Sequence, residues 1–342
     1  MAHDNLSDLV LVSRIVDELE AGNQVAMATI AATKGSMPRG AGARLCVFED
    51  DSFEGTIGGG SIELMCIDFC KEVVHGKRQQ SFEWYERTDT MMACGGDALV
   101  DIRLITGCEL EVFKKIQATL EAEELIWLTE DYSDPSSVKV ELLDEQGTEA
   151  AGFNTGCDVV FYAEDKKLLI EPIGPEPVCY IFGAGHVGQA LVPQLTCVGW
   201  RCKVLDDREG LVTPERFPDA IDLEYGDFNQ MAEAANITNR DYVVVMTHGH
   251  EFDTDVLERV IPKHAAYTGC IGSRAKAAYA RKELVARGIS QQDADAVFMP
   301  IGDDIMAVTP AEIGVSIASE MIRARAMTRP VKPHQKRAVI HG

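Results

Sequence analysis

Val178 to Asp207 reads VCYIFGAGHVGQALVPQLTCVGWRCKVLDD, and this stretch decides the fold. Val178–Phe182 is a short apolar run of the kind that buried strands use. Gly183, Gly185 and Gly188 follow at G-x-G-x-x-G spacing; His186 to Val198 has the pattern of a helix, and Lys203–Leu205 that of the next strand. Asp206 stands about 20 residues beyond the glycines, where a Rossmann fold places the acid that binds a ribose. Each glycine answers a different constraint. Gly183 allows the tight turn off the strand, Gly185 lets backbone approach a phosphate because no Cβ intrudes, and Gly188 lets helix and strand pack closely. The helix N-terminus adds unpaired N–H groups and a positive dipole end. The reading is a βαβ unit with a phosphate-bearing ligand, or the same unit with an empty crevice. His186, inside the turn, departs from the commonest dinucleotide pattern and adds bulk and a donor.

The alternation continues downstream. Strands are expected at Ile221–Tyr225, Tyr242–Met246 and Ala266–Ile271, with helices at Asn229–Ala235, Val256–Lys263 and Arg274–Arg287. Repeated strand-then-helix units predict a doubly wound parallel sheet with ligands at the strands' carboxyl ends. Three loops leave those ends: GAGH, THGHEFD and GSRAK. Gly272, Ser273 and Arg274 put amides, a hydroxyl and a cation at a helix start, for an anion or for plain capping. His248, His250, Asp253 and Asp255 are ligand types for a divalent ion. THGHEFD resembles the H-x-H-x-D-H of metallo-β-lactamase-type hydrolases, but misses it by one position and lacks the last His. No firmly bound metal is expected, and His248, His250 and Asp253 are assigned to orienting a ligand. Thr309 caps a last helix, with Pro310 and Glu312 in its first turn, running to about Ala326.

Upstream, Leu6–Glu20 has helical spacing with Asn5 or Ser7 as cap, and Val25–Ala32 and Arg44–Phe48 read as strands. The loop between them, TKGSMPRGAGARL, offers Ser36, Arg39 and Arg44 to a phosphate or carboxylate, or is a solvated turn with surface arginines. Gly58, Gly59 and Gly60 run directly into a helix beginning near Ser61, a second anion-binding geometry; Glu63, in its first turn, caps the helix or partners a ligand. Cys66 and Cys70 share a helical face and read as core. Ser81–Tyr85 and Ala98–Ile105 read as strands. Cys94, beside two glycines, stands in a permissive loop as a reactive or soft-ligand thiol, or as a structural cysteine. A helix at Glu109–Glu121 and strands at Glu124–Leu128, Val138–Leu143, Val159–Tyr162 and Leu168–Glu171 complete the first domain. Pro172, Gly174, Pro175 and Pro177 mark a linker. The expected architecture is α/β: an N-terminal α+β domain over 1–172, a C-terminal Rossmann-like domain over 178–327, and a basic tail over 328–342.

The totals bound function. A net charge of −23 over 342 residues argues against nucleic-acid and anionic-membrane partners. No run approaches a membrane span, the start MAHDNLSDL is no signal peptide, and ten scattered cysteines without a C-x-x-C pair fit a reducing cytoplasm.

Taken together and in order, GSMPRGAGARL, GTIGGGSIE, CGG, FGAGHVGQAL, DDR, THGHEFD and IGSRAK go beyond fold. The chain resembles the XdhC/CoxI family, accessory proteins of molybdenum hydroxylases such as xanthine dehydrogenase and carbon monoxide dehydrogenase. The likeness covers nearly the whole chain and is weakest from Gly107 to Pro172. It implies a chaperone rather than a catalyst, with no catalytic residues. Such a protein binds molybdenum cofactor (molybdopterin, a pterin with a dithiolene and a phosphate), protects it, presents it for sulfuration by a cysteine desulfurase and passes it to the apo-hydroxylase. A homodimer is expected, and NAD(P) or another nucleotide is a second candidate ligand. The implied binding set is Ser36, Arg39, Arg44, Gly58, Gly59, Gly60, Ser61, Glu63 and Cys94 in the first half. In the second half it is Gly183, Gly185, His186, Gly188, Asp206, Asp207, His248, His250, Asp253, Gly272, Ser273 and Arg274. The cofactor is expected in a crevice shared by the two domains. Family sequences usually read IGLDIGA near the end, where this chain has Asp303 for Leu and Met306 for Gly; after CGG, Arg103 and Leu104 replace an acid and a proline. An NAD(P)-dependent oxidoreductase and a metal-dependent hydrolase using THGHEFD are the alternatives from other classes.

Overall fold

Strand β1 (Val25–Lys34) shows how the first half is built. Val25 and Met27 point to one face of the sheet, Ala26, Ala28 and Ile30 to the other, and all five are fully buried. A strand buried on both sides needs a layer on each. The computed structural model describes residues 6–35, 37–86, 96–156 and 160–328. It divides into two compact units, Met1–Asn154 with Val159–Pro175, and Thr155–Asp158 with Glu176–Gly342.

In unit 1, β1 is the centre of an antiparallel sheet of order β3-β2-β1-β5-β4, with β2 at Arg44–Phe48, β3 at Phe53–Gly55, β4 at Ser81–Tyr85 and β5 at Asp97–Ile105. Helix α2 (Gly60–Val74) covers one face through Ile62, Cys66, Phe69, Cys70 and Val73, which pack on Ala26, Ala28 and Ile30. Helices α1 (Leu9–Glu20) and α3 (Leu110–Glu121) cover the other, through Val12, Ile15, Val16, Phe113 and Ile116 against Val25 and Met27. Asp8 caps α1, its side chain accepting the Val10 N–H at 2.9 Å, in place of Ser7 or Asn5; Asn5 lies outside the described residues. A second antiparallel sheet has the order β7-β6-β9-β8: β6 Ile126–Asp131, β7 Lys139–Leu143, β8 Phe161–Ala163, β9 Leu168–Ile173. A short helix α4 (Glu145–Ala150), capped by Asp144, lies where the polar, glycine-containing sequence carried no helical period.

Unit 2 is a parallel sheet of order β12-β11-β10-β13-β14. Its strands are β10 (Val178–Phe182), β11 (Arg201–Asp206), β12 (Asp222–Tyr225), β13 (Tyr242–Val245) and β14 (Tyr267–Cys270). β10 again serves two cores. Cys179 and Ile181 face α5 (His186–Cys197) and α10 (Pro310–Thr328), while Tyr180 and Phe182 face α6 (Phe228–Ala234), α7 (His250–Val260) and α8 (Arg274–Ala286). The order reverses at β10, so the crevice of a doubly wound fold opens between the ends of β10 and β13. The Thr309 cap is reciprocal: Thr309 Oγ1 accepts the Glu312 N–H at 3.3 Å, and Glu312 accepts the Val308 and Thr309 N–H groups at 2.8 Å. One expectation is corrected. THGHEFD is largely not a loop, because α7 begins at His250, six residues before Val256. A further short helix, α9 (Gln291–Ala296), follows α8. Among the described residues no helix is long and apolar enough to cross a membrane. The basic tail from 329 lies outside them.

Candidate functional site

In unit 1 two of the candidate loops meet. Arg39 is exposed, and a Cβ on Gly58 would stand 3.2 Å from Pro38 Cβ and 3.5 Å from Arg39 Cγ. Gly58, Gly59 and Gly60 have φ of 118°, 75° and 71°, a run of left-handed backbone that side chains resist. At Gly59 and Gly60 a Cβ would meet nothing within 4 Å, so that side of the turn is open. Ser61 lies in the first turn of α2. Glu63 takes the capping role: one carboxylate oxygen accepts the Thr56 hydroxyl and the N–H groups of Ile57 and Gly59, the latter two at 3.0 Å. Thr56 carries no expectation from the sequence, although a Thr ahead of a glycine run and an acid is a cap signal. Ser36 and Cys94 lie outside the described residues.

Arg44 is a correction. Its guanidinium is fully buried, Nη2 donating to Glu130 at 2.8 Å and Nη1 to Glu171. Arg103 donates to Glu130 at 3.0 Å and to Glu109 at 2.6 Å. These contacts tie β2 and β5 to β6 and β9, so Arg44 braces the sheets and does not face a ligand. Burial alone would raise the Glu130 carboxyl, but the two arginines outweigh it and hold it below the usual range. Asp101 lacks that support: burial pushes its carboxyl up to about 8 against the partial relief of Arg103, whose Nε is 3.5 Å away.

In unit 2 the glycine turn has the expected division of labour. A Cβ on Gly183 would meet the Met246 carbonyl at 2.2 Å, and one on Gly188 the Gly183 carbonyl at 2.3 Å; one on Gly185 would meet nothing within 4 Å. The turn is closed toward the sheet and open where a phosphate would approach. His186, the first residue of α5, is exposed beside it. Asp206 is the second correction. It is fully buried; Oδ2 accepts the Ala184 N–H and Arg208 Nη2, both at 2.7 Å, and Oδ1 accepts the Arg208 N–H at 3.0 Å and Nε at 2.7 Å. Burial opposes its ionisation, but the Arg208 bonds and the Ala184 N–H prevail and keep it below the usual carboxylate range. The acid at the ribose position thus braces the turn and the β11 loop instead. Arg208 stands in the DDR phrase without a role legible there; only the fold shows that it is Asp206's partner.

Asp207 points to His248, whose Nε2 lies 3.1 and 3.0 Å from the two carboxylate oxygens. Asp253 is buried and accepts the Thr247 N–H at 3.0 Å and its hydroxyl at 2.7 Å, the same back-reaching cap that Glu63 makes in unit 1. Its expected part in orienting a ligand is therefore replaced by holding the loop. The His250 side chain lies outside the described groups. No group of three or more His, Cys, Asp and Glu among the described residues is placed to hold a metal ion. Ser273 caps α8, accepting the Lys276 N–H at 3.3 Å; Gly272 precedes it and Arg274 is exposed. The departures at Asp303 and Met306 are accommodated. Asp303 accepts from Arg323 at 2.6 Å and Ser319 at 2.8 Å, while Met306, at φ 59°, is exposed in backbone that suits the family's glycine.

Two family models match the chain: the XdhC Rossmann domain over residues 179–321, and the XdhC and CoxI family over residues 18–85. The uncharacterized protein YqeB of Escherichia coli (strain K12) is 23% identical over 322 residues, which are 92% of this chain and 47% of YqeB. The chain thus spans about half the length of that relative. A probable xanthine dehydrogenase subunit from Bacillus subtilis (strain 168) is 23% identical over 325 residues, 90% of this chain and 95% of its own. The crystal structure of a xanthine dehydrogenase from Bacillus halodurans has a TM-score of 0.66 at 23% identity, covering 94% of this chain and 96% of that one; the likeness is one of fold.

Proposed function

The chain belongs to the XdhC and CoxI family, and from that premise we propose that it is an accessory protein that carries molybdenum cofactor to a xanthine dehydrogenase-type hydroxylase. It protects the cofactor, supports its sulfuration with a cysteine desulfurase, and acts as a homodimer without turning over a substrate of its own. The observation that carries this reading is the pair of glycine turns left open at Gly59, Gly60 and Gly185. A phosphate-bearing pterin needs backbone N–H groups that no side chain screens, and each turn leads into a helix N-terminus. Each unit by itself offers an anchor for the cofactor's phosphate: Arg39 and the Gly58–Ser61 turn in unit 1, or Gly185 and His186 in unit 2. The bound group supplies the molybdenum centre on which a hydroxylase depends; the chain's residues supply anchorage for its phosphate. Arg44, Asp206 and Asp253 take no part, being committed within the fold. That commitment of Asp253 also weakens the hydrolase reading.

The test is retention. Full-length protein incubated with released cofactor and passed through gel filtration is expected to co-elute with pterin fluorescence and molybdenum, and Gly185→Val is expected to lose most of both. Elution of the wild type without pterin would overturn the proposal.

A further inference from the structure

The acid that sequence spacing assigns to a ribose, Asp206, has both carboxylate oxygens engaged within the chain. The next residue takes its place at the crevice. The Asp207 side chain is 26% exposed and that of His248 37%, and they pair through His248 Nε2 at 3.0 Å. The imidazole is fixed from behind: its ring lies 4.9 Å from the Phe252 ring and 6.2 Å from that of Phe228. Asp207 follows β11 and His248 follows β13, the two strands that flank β10, so the pair stands on either side of the glycine turn. Arg208 Nε is 3.8 Å from Asp207 but is already bonded to Asp206 at 2.7 Å, so this end of the crevice holds two carboxylates and one shared arginine.

We propose that Asp207, positioned by His248, reads the ribose diol of a nucleotide whose phosphate lies on the turn at Gly185. An ionised carboxylate accepts two hydroxyl donors at once. A second phosphate in the same place would meet the charge of Asp207, because Asp206 and Arg208 neutralise each other and leave no free cation to receive it. The crevice therefore selects a ribose with free hydroxyls and rejects one bearing a 2′-phosphate. The shared chemistry is a ribonucleotide, whether in free NAD or in a dinucleotide form of the pterin cofactor. The inference is separate from cofactor delivery: the turn retains a pterin mononucleotide whether or not Asp207 reads a ribose.

Calorimetry on the full-length protein tests it with NAD, NADP, NAD lacking the 2′-hydroxyl on its adenosine ribose, and the pterin in mononucleotide and dinucleotide forms. A ribonucleotide, as NAD or the dinucleotide pterin, is expected to bind. If NAD is the form bound, NADP and the deoxy analogue are expected to bind about tenfold or more weakly, the scale of a lost hydrogen bond to a charged group. If the pterin is the source, the dinucleotide form outbinds the mononucleotide by a similar factor. Asp207→Asn is expected to erase either preference, and His248→Ala to narrow it while leaving the thermal midpoint near that of the wild type. The wild-type comparisons do not depend on any variant folding. NADP binding as tightly as NAD, a preference that survives Asp207→Asn, or no binding of any ribonucleotide overturns the proposal; pterin retention is read separately.

Discussion

Each unit gathers acids around arginine, and the two gatherings have opposite surroundings. In unit 1, Arg44, Arg103, Glu130 and Glu171 lie between sheets with side chains almost wholly shut from water. In unit 2, Asp206 is shut in just as fully, but its partner Arg208 is 41% exposed and its neighbour Asp207 opens to the crevice. The first arrangement can only hold the fold together: every charge is cancelled by another in the same chain, with no side left for a ligand. The second fixes a turn and leaves one charge facing outward. Burial of a charge cluster thus separates bracing from recognition more reliably than the residue types do.

That contrast can be broken most directly at Arg44. Arg44→Ala leaves Glu130 and Glu171 buried with one arginine between them, and should cost unit 1 about 3–5 kcal/mol. Urea unfolding followed at Trp84 and Trp127, against Trp200 in unit 2, reads the loss. A change of less than about 1 kcal/mol would mean that the cluster is not what closes the sheets. Asp206→Asn should cost less, about 2 kcal/mol, because Arg208 retains water on one side. Differential scanning calorimetry checks it, and a loss as large as that of Arg44→Ala would erase the distinction between closed and half-open clusters.

Asp101 sharpens the contrast through pH. Its folded carboxyl holds a proton up to about pH 8, whereas an unfolded aspartate releases it near 4. Its contribution is fully present below about pH 4 and is lost as pH rises toward 8, with a slope of the order of 1 kcal/mol per pH unit. The sign is opposite for Asp206, held low, whose contribution is lost as pH falls. Stability measured from about pH 5 to about pH 7 should fall for the wild type relative to Asp101→Asn; parallel curves would show that the site is ionised. The smallest effects belong to the two back-reaching caps. Glu63→Gln and Asp253→Asn should each cost about 1 kcal/mol, and a markedly larger loss at either would mark a group with a further partner.

Local patterns carried far in the sequence. The glycine turn, the strand-then-helix alternation and the Thr309–Glu312 cap were legible because each depends on residues a few positions apart. Arg44 was not, since a glycine-rich loop beside it resembles a surface turn and its partners stand 86 and 127 residues away. Asp206 and Asp207 are adjacent and identical in type; only the register that ends β11 at Asp206 and the reach of Arg208 tell them apart. The early start of α7 was hidden because Phe252 is the one apolar residue from His250 to Asp255, so no helical period shows there, while Asp253 supplies a cap from inside the helix.

The bond between Arg44 and Glu171 also bears on how the chain is made. A ribosome releases Arg44 long before its counter-ions: Glu130 follows only after 86 more residues and Glu171 after 127, so the guanidinium's full set of partners is late. The Leu6 N–H, which donates to the same carboxylate at 3.2 Å, waits longer still. Unit 1 therefore cannot seal its centre while it is being threaded out, and its earliest-made strands wait with an open, water-filled seam until the last strand of that unit is made. Unit 2, nearly all of it downstream of Pro175, begins to emerge only as that seam closes.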